Sequence, residues 1–108
     1  MSTAALRVLV VDDEAPARER LRRLLAGIPG AEVCGEAANG LAALAAVQAE
    51  APDVVLLDIR MPGMDGLELA GHLARLSSPP AVIFTTAYGD HALAAFEAYA
   101  LAYLLKPV

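Results

Sequence analysis

The sequence contains a single cysteine, a single lysine and no apolar run long enough to cross a bilayer. One cysteine, Cys34, excludes an internal disulfide and fits a reducing cytoplasm, where it serves as a small packed hydrophobe. A membrane-spanning helix needs roughly 20 consecutive apolar residues, and the longest runs fall far short of that. Val8 to Val11 leads at once into Asp12 and Asp13, which is unlike a signal peptide. Positive charge is scarce: 8 Lys and Arg stand against 13 Asp and Glu, for a formal charge of −5. Direct contact with nucleic acid needs a concentrated basic patch, so an acidic domain of this kind is a poor candidate for that function. The one local concentration of base, Arg18, Arg20, Arg22 and Arg23 around Glu19, reads as the solvated face of a helix. Core material is not lacking. Hydrophobic residues make up 57% of 108 residues, enough for one small domain and incompatible with disorder.

The pattern of apolar residues alternates between strands and helices. Leu6 to Val11 reads as a first, central strand, and Pro16 sits where a first helical turn tolerates it. The spacing predicts a helix that buries Ala17, Leu21, Leu24, Leu25 and Ile28 and stops at Gly27, Pro29 and Gly30. Glu32 to Glu36 reads as an edge strand. Asn39-Gly40 opens a second helix with an inward stripe of Leu41, Leu44, Ala45 and Gln48, with Val47 beside it, ended by Pro52. The run from Asp53 to Asp58, apolar from Val54 to Leu57, suits a strand buried on both faces of a parallel sheet. A third helix carries Leu67, Leu69, Ala70, Leu73 and Leu76, and Ala81 to Thr85 forms a fourth strand. A loop from Thr86 to Asp90, a fourth helix with Leu93, Phe96 and Tyr99 inward, and a fifth strand at Tyr103-Leu104-Leu105 complete the series. The class is α/β, a doubly wound five-stranded parallel sheet. A fifth helix is expected after the fifth strand, so residues 1–108 read as one domain trimmed there.

The strand ends carry the chemistry. Asp12 and Asp13, Asp58, Thr85 and Thr86, and Lys106 each follow a strand, and parallel strands share one rim. Two carboxylates about 4 Å apart repel by roughly 4 kcal/mol at an effective dielectric near 20. A divalent cation removes that cost, and all-oxygen donors point to Mg²⁺. A carboxylate can attack phosphorus, with a metal, a lysine and a hydroxyl to stabilise the transferring oxygens. Thr85 reads as a strand residue and Thr86, followed by Ala87, as the better hydroxyl. His72 and His91 lack metal-ligand spacing and read as surface residues, while Met61 and Met64 read as loop packing.

Four pieces in this order, Val10-Val11-Asp12-Asp13-Glu14, Leu57 to Gly66, Thr86-Ala87 and Tyr103-Leu104-Leu105-Lys106-Pro107, resemble a bacterial response-regulator receiver (CheY-like) domain. The run from Ala92 to Pro107 is similar to receivers of the LytTR or alginate-regulator class. The resemblance implies a flavodoxin-like fold of strand order 2-1-3-4-5. It implies a phospho-acceptor domain fed by a sensor histidine kinase, not an enzyme beyond its own phosphorylation and dephosphorylation. By the same resemblance Asp58 takes the phosphoryl group, and Asp12, Asp13 and Asp58 hold Mg²⁺ with the Arg60 carbonyl. Thr86 and Lys106 bond the phosphoryl oxygens, and Arg60 and Tyr88 flank them. Tyr103 is the switch aromatic, and Lys106-Pro107 is a cis bond, which proline allows cheaply. The resemblance further implies a cytoplasmic regulator that controls transcription as a homodimer, touching DNA only through an output domain absent from this chain.

Two other functions compete. A phosphorylation-independent dimerisation module on the same fold would not need the intact acid, threonine and lysine set. An Mg²⁺-dependent phosphohydrolase would place its nucleophile after the first strand with a second Asp two residues on, whereas Asp12 and Asp13 are adjacent. Asp13 as a plain helix cap is the simplest structural use of that residue.

Overall fold

A computed structural model describes residues 5–86 and 101–106. Five parallel strands form one sheet in the order β2-β1-β3-β4-β5, with β1 at Leu6–Val11, β2 at Ala31–Ala37, β3 at Val54–Asp58, β4 at Ala81–Thr86 and β5 at Ala102–Leu105. Helices α1 (Ala15–Ala26), α2 (Gly40–Glu50) and α3 (Gly66–Ala74) connect the first four strands. This is the flavodoxin-like order expected, with β2 at one edge and β1 and β3 adjacent. The expected fourth helix, Ala87, Tyr88, His91 and the Lys106–Pro107 bond lie outside the described residues.

Alternation along the central strands divides the interior into two layers. Leu9, Val11, Val55, Leu57, Val82 and Phe84 face one way, onto Ala43 and Val47 of α2 and Leu69 and Leu73 of α3. Val8, Val10, Val54 and Leu56 face the other way, onto Leu21, with Leu25 packed alongside. Every residue of β3 is buried, which is why its sequence shows no polar alternation. Asp53 lies just outside that strand; its side chain accepts from the Arg7 backbone N–H at 2.8 Å. At the other end β4 extends through Thr86, whose backbone pairs with Leu105.

Two helix stripes differ from expectation. In α1 the residues turned inward are Ala17, Leu21 and Leu25, while Leu24 and Ile28 are exposed. The helix ends at Ala26, so Ile28 falls beyond its last turn. In α2 the buried positions are Gly40, Ala43 and Val47, and Leu41, Ala45 and Gln48 are exposed. This helix is apolar nearly all round, so periodicity alone could not choose a face. The choice is made at its start, where the Asn39 side chain accepts from the Ala42 N–H at 2.8 Å and Gly40 lies against the Met64 side chain. A Cβ on Gly40 would come within 2.7 Å of Met64, so α2 meets that loop only at a glycine.

The basic face of α1 is not simply solvated. Arg18 and Arg22 both bond Glu36 on β2, at 3.2 and 2.8 Å, and tie the helix to the sheet edge. Cys34 sits where the β1–β2 register slips between Val8 and Leu9, a bulge that leaves it packed against the core. Burial raises its thiol above the ordinary range, consistent with a packing role. His72 is half-buried in α3, not fully at the surface.

The phase of α2 can be checked directly. Val47→Ala is expected to cost about 2 kcal/mol in urea denaturation, whereas Leu41→Ala is expected to stay within about 0.5 kcal/mol of the parent. The reverse ranking would mean that the helix is rotated from the orientation described.

Candidate functional site

The site lies at the carboxyl ends of β1, β3 and β5, where adjacent strands lead into different connections. Asp12 follows β1 and is completely buried, and each of its polar groups has a partner. Its N–H donates to the Ala37 carbonyl at 3.1 Å, and its Oδ1 accepts from the Glu14 N–H at 2.9 Å. Its Oδ2 takes Lys106 Nζ at 2.9 Å, and its carbonyl accepts from Arg18 at 2.8 Å. Asp13 is exposed beside it. The helix cap is Glu14, which makes no side-chain cap bond, so Asp13 is not spent on capping.

Asp58 ends β3, and a loop with three local devices holds the chain that follows it. Gly63 adopts φ of +79°, a conformation that L side chains rarely take. Asp65 caps α3 by accepting from the Glu68 N–H at 2.8 Å. Gly66 donates its N–H to the Ile59 carbonyl at 2.7 Å and leaves no room for a Cβ, which would meet the backbone of Asp58 and Ile59. Helix α3 therefore starts directly against the strand end that carries Asp58. Met61 is buried in the core and Met64 packs against it, as expected of loop packing.

Carboxylate oxygens of Asp12, Asp13 and Asp58 lie within 4.8 Å of one another. Lys106, just past β5, reaches Asp12 Oδ2 at 2.9 Å and Asp58 Oδ1 at 3.3 Å. Burial pushes the Asp58 carboxyl up to about 6, and the charge on Asp12 pushes the same way. Lys106 and the Arg60 backbone N–H pull it down and only partly offset that rise. Lys106 is shared, and its shorter bond goes to Asp12. Burial alone would lower the Lys106 ammonium, but the bond to Asp12 and the charge of Asp58 outweigh it and leave the group above its ordinary value. The donor set is all carboxylate oxygen, which suits a hard divalent cation in preference to zinc or copper.

Three other expected site residues stand in different settings. Arg60 is exposed on the loop after β3, where its N–H bonds Asp58. Thr86 stands at the end of β4 on the same rim. Tyr103, expected as a switch aromatic, is 43% exposed on β5. Thr85 is fully buried, pairs with Asp58 across β3 and β4, and its hydroxyl has no hydrogen-bond partner among the described residues. Sequence reasoning missed Arg18 and Glu36 as supports of the site. The spacing of Arg18 marks a helix face, and nothing in it says that this face meets Glu36 on β2 beside Asp12.

A doubly wound parallel sheet with an acid cluster and one lysine at its carboxyl rim defines a class of α/β domain whose charged groups stand where such sheets place their ligands. The comparisons give the family: residues 8–108 match the response regulator receiver domain, and the chain belongs to that family. It is 52% identical over 104 residues to the positive alginate biosynthesis regulatory protein of Pseudomonas aeruginosa, covering 95% of this chain and 42% of that protein. It is 46% identical over 102 residues to the sensory transduction protein LytT of Bacillus cereus, covering 94% and 42%. These relatives place it with receivers of the LytTR class. Among solved structures, the receiver domain of the response regulator NarL from Mycobacterium tuberculosis superposes with a TM-score of 0.89 at 38% identity, covering 98% of this chain and 87% of that one. The chain spans about two fifths of the length of these curated relatives.

The raised Asp58 carboxyl has a consequence for stability. Its ordinary value is about 3.9 when unfolded, so between about pH 4 and 6 the folded protein holds the proton more tightly. Without metal, stability falls as pH rises through that window, by at most about 3 kcal/mol from this group. Asp58→Asn in chelator-containing buffer is therefore expected to unfold at higher urea than the parent at pH 7.5, with the advantage shrinking toward pH 4. A less stable Asp58→Asn at pH 7.5 would mean that the Lys106 contact outweighs burial.

Proposed function

We propose that this domain accepts a phosphoryl group on Asp58 from a phosphohistidine of a sensor kinase, in the cytoplasm. The observation that carries the proposal is the convergence of Lys106 on both Asp12 and Asp58, with Asp13 beside them. An Asp58 oxygen attacks phosphorus, the phosphorus–nitrogen bond breaks, and the imidazole leaves with its electron pair to take up a proton. The product is an acyl phosphate on Asp58.

Asp12, Asp13, Asp58 and the Arg60 carbonyl would hold Mg²⁺, which supplies neutralisation of the transferring oxygens and of the three clustered carboxylates. Lys106 would turn from the carboxylates to a phosphoryl oxygen, since its ammonium already lies within 3.3 Å of Asp58. Thr86 would bond a second oxygen, and Tyr103 would report the change by turning inward. The readout would be dimerisation and transcription control through an output domain. The greater length of the relatives supports an output domain.

The test is intact mass after incubation with Mg²⁺ and a small phosphodonor such as acetyl phosphate. One phosphoryl adduct is expected, lost in the Asp58→Asn variant and without Mg²⁺. An adduct that persists in Asp58→Asn would move the acceptor elsewhere. No adduct in the parent would favour a domain that works without phosphorylation.

A further inference from the structure

Asp13 is the weakly held member of the acid cluster. Among the described residues no hydrogen bond or ion pair holds its carboxylate, and it is exposed, whereas Asp12 and Asp58 are buried. Its place within 4.8 Å of the other two is therefore set by its backbone. The Asp12–Asp13 peptide plane decides that place, and the carbonyl of the plane accepts from Arg18 at 2.8 Å.

Arg18 is in turn held at its other nitrogen. Its Nε bonds Glu36 Oε1 at 3.2 Å, and the second oxygen of Glu36 is taken by Arg22 at 2.8 Å. Arg22 thus orients Glu36, Glu36 orients the planar fork of Arg18, and Arg18 fixes the peptide that launches Asp13. A guanidinium suits this task because one rigid plane can serve two acceptors at a set angle, which a lysine ammonium cannot do.

We propose that Arg18 is a positioning residue for the cation site, fixing the Asp12–Asp13 peptide so that Asp13 meets Asp12 and Asp58. The inference rests on the reading of the acid cluster as a Mg²⁺ site. It makes a prediction of opposite sign to simple electrostatics. Removing a nearby positive charge should strengthen attraction for a cation, whereas removing a positioning group should weaken binding, commonly by about tenfold or more.

Mg²⁺ affinity would be measured by calorimetry on the parent, Arg18→Gln, Arg18→Lys and Arg22→Gln. The expected result is binding about tenfold weaker in both Arg18 variants. Arg22→Gln removes the same charge from the same patch but acts on the Asp12 carbonyl bond only indirectly, through Glu36, and should weaken binding less than either Arg18 variant does. In chelator, the Asp13 amide resonance of both Arg18 variants should shift or broaden relative to the parent. Should Arg18→Gln fail to fold, Arg18→Lys decides, because it keeps the charge and loses the fork. Unchanged or tighter Mg²⁺ binding in the folded Arg18 variants would overturn the positioning role alone. A parent protein that binds no Mg²⁺ would overturn the cation-site reading and this inference with it.

Discussion

A fully buried carboxylate is expensive unless it is paired and hydrogen-bonded, and Asp12 meets that condition through Glu14 at Oδ1 and Lys106 at Oδ2, while Ala37 and Arg18 hold its backbone N–H and carbonyl. The edge strand supplies Ala37, the entry to α1 supplies Glu14, the body of α1 supplies Arg18, and the far end of the chain supplies Lys106. The rest of the site follows from this constraint. Lys106 can approach Asp58 only from the position that Asp12 assigns it, and the resulting 3.3 Å contact is the longer of its two bonds. Asp58 is thereby left with a carboxyl pushed up to about 6, a charge not fully compensated inside the protein. An external cation is the natural remedy for such an excess.

The surrounding fold is arranged to make that excess tolerable. The apolar layers on both faces of β1 and β3 hold the strand ends rigidly, so three carboxylates can be kept close despite their repulsion. Gly66 brings the start of α3 onto the Asp58–Ile59 backbone, and Asp65 caps that helix independently of the site. Stability therefore resides in the sheet and its helices, while the rim stores the unfavourable charge. A protein built this way gains stability when the rim is neutralised.

Much of this was legible in the residues. The unbroken run Val54 to Leu57 announced a strand covered on both faces, and the acid at its end announced the rim. The turn residues of the Met61–Gly66 loop each proved to have the local use their type suggests. Legibility failed where the code is uniform or where the partner is distant. Helix α2 offers apolar residues on nearly every side, so Leu41 and Val47 were indistinguishable until Asn39 and Gly40 set its rotation. Arg18 and Arg22 carried the periodicity of a solvated helix face, and only the position of β2 turned them toward Glu36.

The sequence by itself therefore determined the alternation of strands and helices, the parallel class, and the residue types at the strand ends. These depend on local periodicity and turn chemistry, which act over a few residues. The tertiary structure alone decided which of those residues form one acid cluster, which carboxylate lies nearer Lys106, and which side chain bonds the carbonyl of the Asp12–Asp13 peptide. Those outcomes depend on distances of about 3 Å between groups far apart in the chain, and such distances exist only once the sheet has set strand order and register.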